Sequence, residues 1–222
     1  MESFCPIHID LKDRTCLVLG GGAVAGRKVK VMLAFGAAVT VVSPDLSPEL
    51  SQMLEEEKIA YLADTYRPVY LKDKFLVICA TGSEEINRRA AEECINRGIP
   101  VNTVSDPGMC TFYLPALHKD GPLTVSVSTA GKSPALARRL RDKIASSLDG
   151  AYPEFAEFLG QARALVLERV EDRARRRVLL EFLASDDFFT DFKRLPREGV
   201  EEKVKELIEE FGEKGDREGD GG

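Results

Sequence analysis

Gly20-Gly21-Gly22-Ala23-Val24-Ala25 follows directly on the apolar run Leu17–Leu19 and opens a segment with helical spacing. The order fits G-x-G-x-x-A. In that pattern the first glycine permits a tight turn, the second lets backbone approach a diphosphate, and the small residue at Ala25 lets helix and strand pack closely. The helix start then presents free amides and a partial positive charge. That field is worth about 0.3–1 kcal/mol to an exposed anion and up to about 2 kcal/mol to one partly buried. The chemistry implied is the gripping of a dinucleotide, with Gly20, Gly22, Ala23, Val24 and Ala25 as contacts. A turn kept only for packing is the alternative. The surrounding strand, turn, helix and second strand favour the ligand.

Other strand ends supply the rest of a candidate site. An acidic residue is expected about 20 residues beyond the glycines to meet a ribose. Asp45 stands there, directly after Pro44, and reads equally as ribose ligand and as turn residue. Ser43 and the Pro44–Asp45 backbone are candidates for part of the same role. No Lys or Arg lies between Val39 and Glu57, so nothing invites a 2′-phosphate, and NAD is expected over NADP. Thr81, closing another apolar strand, reads both as a rim residue and as a helix cap. Asn102–Pro107 (NTVSDP) adds a further strand end to the rim.

These residues need a framework that gathers strand ends. Strands are expected at Arg14–Gly20, Ala38–Val42, Ile59–Leu62, Phe75–Ala80 and Val101–Val104, with helices at Val24–Phe35, Pro48–Glu57 and Glu84–Arg97. The alternation predicts a Rossmann-like α/β fold with a parallel sheet. Cys110–Leu117 and Leu123–Ser128 then flank a turn at 118–122 and read as an antiparallel ribbon. His118, placed at that turn, stays outside the site. Ser133-Pro134 opens a helix whose apolar stripe is Leu136, Leu140, Ile144 and Leu148. One or two helices are expected over Pro153–Ala184 and a last one over Val200–Phe211. The division is 1–109 for nucleotide binding, 110–150 for ribbon and basic helix, 151–211 for the helical region and 212–222 for a disordered acidic tail.

Composition narrows the function classes. Of 222 residues, 44% are hydrophobic and 31% charged, as in soluble globular proteins. No apolar run approaches the roughly 18 residues of a membrane span, and the first residues lack the pattern of a signal peptide. A cytoplasmic protein is expected, without membrane or nucleic-acid partner. The net charge is −6, and Arg197–Gly222, with 5 basic and 10 acidic residues, carries −5 of it. Five unpaired-looking cysteines and two histidines argue against a disulfide frame, a structural zinc site or a multi-histidine metal site.

GGGAVAGRK, VVSPDL, ATGSEEINRR, VNTVSDP, TFYLPA and STAGKSPALARRLRDKI stand in an order and spacing that resembles the precorrin-2 dehydrogenases. That family includes the N-terminal module of bacterial sirohaem synthase and the yeast bifunctional dehydrogenase–ferrochelatase. The likeness covers about residues 1–150 clearly and the following helices loosely. It implies oxidation of precorrin-2 to sirohydrochlorin with NAD. Some members then insert ferrous iron. It further implies a homodimer joined through the ribbon and C-terminal helices, and a tetrapyrrole bound in the cleft between the Rossmann part and that region.

A substrate with eight carboxylates asks for cations and hydrogen-bond donors. Lys132–Lys143 has five basic residues and one acid, starting at a helix N-terminus. Thr129, Lys132, Ser133 and Arg138, with Asn102, are the substrate-binding candidates, each charge-assisted bond contributing about 1.5–3 kcal/mol. Arg139, Lys143 and the Arg173–Arg177 cluster read as solvated surface or dimer contact. One position departs from the family. Its bifunctional members carry an aspartate two residues before the proline of N-x-x-D-x-P, where this chain has Ser105, with Asp106 next. Either Asp106 takes over the acid–base role, or dehydrogenation proceeds without it and chelatase activity is weak or absent. Two other functions stay open: a Rossmann module that senses nucleotide without catalysis, and a dehydrogenase for a small substrate. The basic helix start argues against the latter.

Overall fold

Runs such as Thr15–Leu19 (β1) and Leu76–Cys79 (β4), buried from Cys16 and Leu76 onward, can only be central strands covered on both faces. The computed structural model describes residues 4–213, with side chains through Phe211. It places β1, Ala38–Val42 (β2), Ala60–Leu62 (β3), β4 and Val101–Thr103 (β5) in one parallel sheet of order β3-β2-β1-β4-β5. Helices Ala23–Ala34 (α1), Pro48–Glu55 (α2) and Glu84–Asn96 (α3) are the crossovers. Val18, Val29, Met32, Val41, Leu50 and Ile78 form the core on the α1–α2 face. Leu17, Val77, Cys79, Ala90 and Cys94 form the core under α3. The register aligns Leu19 with Val42 and Cys79, Val42 with Leu62, and Cys79 with Thr103. All five strands therefore end level, and their following loops share one edge. The chain steps outward from β1 to β3, then returns to β4 beside β1. That reversal is the switch point at which such sheets bind ligands.

The chain divides into two compact units, Met1–Leu114 and Pro115–Gly222. In the second, Ala116–Asp120 (β6) and Leu123–Val127 (β7) pair antiparallel. Helix Pro134–Ser147 (α4) packs on this ribbon, Arg141 Nη1 donating to the Leu117 carbonyl at 2.8 Å. Helices Tyr152–Arg169 (α5), Arg173–Leu183 (α6), Asp186–Arg194 (α7) and Arg197–Glu213 (α8) enclose an aromatic core of Phe155, Phe158, Phe188 and Phe189 with Leu179, Leu183 and Val204. Among the described residues, no helix is long and apolar enough to cross a membrane.

The parallel sheet, ribbon and helical C-terminal region follow the sequence reading, with local corrections. The first ribbon strand begins at Ala116 rather than Cys110, because Pro107 starts a 3₁₀ turn over Pro107–Met109 and Pro115 interrupts pairing. The ribbon link shrinks to Gly121-Pro122, and His118 lies within β6 opposite Val125, not in a turn. Helix α7 was not expected. It is nine residues long, and Ser185 caps it by accepting from the Phe188 amide at 3.3 Å. Leu148 is the half-buried C-cap of α4, so the exposed stripe is Leu136, Leu140 and Ile144. The acidic tail expected over 212–222 lies, but for the helical backbone of residues 212 and 213, outside the described residues.

Candidate functional site

The glycine turn is built by collision. Gly20 has φ +113°, and a Cβ there would stand 2.3 Å from the Ala80 carbonyl oxygen. Gly21 is tighter still. Its Cβ would stand 1.9 Å from the Asp45 carbonyl oxygen and 2.8 Å from Ser43 Oγ. The loop after β2 is thus clamped over Gly21, and the Ser47 amide donates to the Gly21 carbonyl at 2.7 Å. Sequence reasoning gave Gly21 no role, since the fingerprint leaves that place variable. Gly22 is the opposite case. A Cβ there would meet nothing within 4 Å. Its freedom serves the space in front of it.

Gly22 is also the N-cap of α1, in extended conformation, with no side chain to cap the first turn and no acidic residue in it. The amides of Ala23, Val24 and Ala25 therefore have no helical acceptor. By contrast, α3 is closed: Ser83 Oγ accepts from the Ile86 amide at 3.3 Å, and Glu84 and Glu85 stand in its first turn. Three helices start on this edge; α2 also has no side-chain cap but carries Glu49 in its first turn, so among them the start of α1 has neither a cap nor an acidic residue.

A crevice of about 500 Å³ opens in front of it, lined by Gly20, Gly22, Ser43, Pro44, Asp45 and Thr81 among others. The structure thus gathers most of the expected cofactor contacts at one place. Ala23 and Val24 are exposed at the helix start, and Ala25 is fully buried against the sheet. Ser43 is 8% exposed, and the Tyr61 hydroxyl reaches its carbonyl at 2.9 Å. Asp64, Thr65 and Ser47 line the crevice too and were not foreseen. The Tyr70 hydroxyl, bonded to the Asp64 carboxylate, holds Asp64 below the usual carboxylate range, helped by Thr65 and Arg67. Ser47 Oγ is buried without a partner. A lining with an open Gly22, free amides and an orphaned hydroxyl fits a phosphorylated, hydroxyl-rich ligand.

Thr81 lines the crevice, but its hydroxyl donates to Asn87 Oδ1 at 2.8 Å, and Asn87 Nδ2 returns a bond to the Thr81 carbonyl at 3.1 Å. Asn87, 1% exposed, braces the loop that Thr81 closes. Ser83, not Thr81, caps α3.

At the β5 end, Asn102 is 4% exposed and committed internally. Its Nδ2 donates to the Phe112 carbonyl at 3.1 Å, and its Oδ1 accepts from Lys28 Nζ at 3.2 Å. It holds the strand end and has no amide group free for substrate. Ser105 Oγ lies 3.1 Å from Thr103 Oγ1. Asp106 accepts from the Gly108 amide at 2.8 Å and caps the following 3₁₀ turn. This bond ties the exposed carboxylate to its own turn.

The second unit holds the remaining candidates. Thr129 Oγ1 accepts from the Ser133 amide at 3.0 Å, and Ser133 Oγ caps α4 by accepting from Leu136 at 3.2 Å. Each hydroxyl is used as acceptor and keeps its own proton to donate. Gly131, at φ +78°, makes the turn before the cap. Lys132 and Arg138 are exposed.

Residues 7–116 match the family described as putative NAD(P)-binding, and residues 120–147 match the sirohaem biosynthesis protein central family. The siroheme synthase of Methylobacillus flagellatus is 43% identical over 176 residues, covering 79% of this chain and 38% of that protein. The siroheme synthase of Thioalkalivibrio sulfidiphilus is 39% identical over 206 residues, 91% of this chain and 42% of that one. The chain therefore spans about two fifths of the length of these relatives. A solved structure, SirC, precorrin-2 dehydrogenase, superposes with TM-score 0.74 at 28% identity, covering 93% of this chain and 100% of that one.

Proposed function

Given that the chain belongs to the precorrin-2 dehydrogenase family, we propose that it oxidises precorrin-2 to sirohydrochlorin with NAD as hydride acceptor. The observation that carries this reading is the likeness to SirC along nearly the whole chain, with an uncapped amide seat at the switch point of the sheet. NAD, when bound, supplies the acceptor for two electrons and a hydrogen. The protein's part is to bind and orient. The first-turn amides of α1 would hold the diphosphate across Gly22, and Ser43, Pro44 and Asp45 would bound the ribose. Thr129, Lys132, Ser133 and Arg138 would supply donors and charge for substrate carboxylates. Metal insertion, which needs a base for pyrrole protons, is weak or absent with Ser105 in place. The thiols of Cys5, Cys16, Cys79, Cys94 and Cys110 are all free, which suits work in the reducing cytoplasm.

Preference for NAD over NADP rests on charge. The crevice lining includes Asp45 and Asp64 and no Lys or Arg. A 2′-phosphate brings about two negative charges toward carboxylates. Mixing protein, precorrin-2 and NAD is expected to give the sirohydrochlorin spectrum together with NADH, with kcat/KM at least about ten-fold lower for NADP. NAD binding with no change in the tetrapyrrole spectrum would make the protein a nucleotide sensor and overturn the dehydrogenase reading.

The unit carrying α4 leaves Leu136, Leu140 and Ile144 at 45%, 38% and 41% exposure along one stripe, spaced i, i+4, i+8. Such a stripe marks an interaction face, and a homodimer through this region is the form we assign. Leu140→Glu is expected to convert a dimer into a monomer in sedimentation. A monomeric wild-type protein at tens of micromolar would refute the assignment.

A further inference from the structure

Lys28 is a half-buried cation in the second turn of α1. Its ammonium donates to Asn102 Oδ1 at 3.2 Å, across 74 residues of sequence. An ammonium has three N–H donors, and among the described residues no carboxylate pairs with this one. Burial holds it below the usual lysine range. A desolvated cation without a counter-charge is unfavourable, and an anion entering beside it would relieve that cost.

Helical side chains lean toward the helix N-terminus, so residue 28 covers the turn begun at Val24. Val24 is 40% exposed and belongs to the turn with free amides. The tether to Asn102 sets the ammonium on the β5 side of that turn. In the sheet order, β5 lies two strands from β1, about 10 Å away at ordinary strand spacing. The diphosphate seat begins at the end of β1. Asp45 and Asp64 lie on the opposite side, after β2 and β3. The ammonium is therefore offset from both the diphosphate seat and the ribose end.

We propose that Lys28 is a substrate-binding residue: its ammonium, aimed by Asn102, takes a peripheral carboxylate of the tetrapyrrole beside β5. The assignment rests on the precorrin-2 reading. The cation belongs to the nucleotide-binding unit itself. Asn102 is then a positioning residue. Its Nδ2 is fixed by the Phe112 carbonyl and the Cys110 sulfur, at 3.1 and 3.5 Å, which leaves Oδ1 turned toward Lys28.

Sirohydrochlorin, the coloured product, serves as probe in equilibrium titrations of the full chain, alongside NAD titrations. Lys28→Met is expected to raise the dissociation constant for sirohydrochlorin at least about ten-fold, the loss of one charge-assisted bond. NAD affinity should stay within about two-fold of wild type, which also shows that the fold is kept. Lys28→Arg should restore tetrapyrrole binding to within about three-fold. Unchanged sirohydrochlorin binding in Lys28→Met overturns the assignment, as does an equal loss of NAD affinity, which would place Lys28 on the diphosphate. A wild-type protein that binds NAD but no sirohydrochlorin overturns the precorrin-2 reading, and the carboxylate assignment falls with it.

Discussion

Gly22→Val is expected to abolish measurable NAD binding, at least a hundred-fold loss by calorimetry, while the melting temperature moves by no more than about 4 °C. The reasoning is steric. A Cβ at Gly22 meets no protein atom within 4 Å, and the backbone there is extended, with φ −85° and ψ −178°. Valine tolerates that conformation, and replacing glycine at an N-cap by an apolar residue costs up to about 1 kcal/mol. The isopropyl group would instead fill the space into which the diphosphate must come. Gly21→Ala should behave differently. Its Cβ would stand 1.9 Å from the Asp45 carbonyl oxygen, backbone that cannot rotate aside. The loop after β2 must then lift, losing the Ser47–Gly21 bond of 2.7 Å. Overpacking of this kind costs about 1–3 kcal/mol or more. Melting temperature and NAD affinity should fall together. If Gly22→Val binds NAD as wild type does, the cradle is not the diphosphate seat.

That contrast shows what the sequence could and could not disclose. The run Leu17–Leu19 and the glycines after it announce a buried strand and a phosphate seat because both signals are local. The level ending of five strands also follows, since βαβ units leave little choice of handedness or edge. The role of Gly21 is not local. It exists because residues 43–47 fold over the turn, some 25 residues later. Asn87 and Thr81 are six apart, yet their mutual bonds depend on how the β4–α3 loop closes. The Lys28–Asn102 tether needs the sheet order itself, which places β5 beside β4. In the second unit, the apolar spacing of α4 was readable. The nine-residue α7 was not, because helices that short owe their stability to packing, here Phe188 and Phe189 in the aromatic core. A serine cap before two aspartates at Ser185, with Lys193 and Arg194 in the last turn, was the one local signal of it.

The same logic of a fixed strand end governs the other large expected effect. Ser105→Asp should raise the rate of ferrous iron insertion into sirohydrochlorin at least about a hundred-fold, the scale of a placed general base, while changing the rate of precorrin-2 oxidation less than about three-fold. Residue 105 is half-buried two positions beyond β5, with its Oγ 3.1 Å from Thr103 Oγ1. A serine hydroxyl there is too weak a base to take pyrrole protons. A carboxylate in the same place would accept the Thr103 hydroxyl and stand ready for them. Asp106, the next residue, has its carboxylate on the Gly108 amide at 2.8 Å as the cap of the 3₁₀ turn. Asp106→Asn keeps an oxygen for that bond, so it should oxidise precorrin-2 at close to the wild-type rate. Sirohaem formation followed by absorbance, beside NADH production, reads both activities. An inert Ser105→Asp, or an Asp106→Asn variant that no longer oxidises precorrin-2, would move the acid–base role to residue 106.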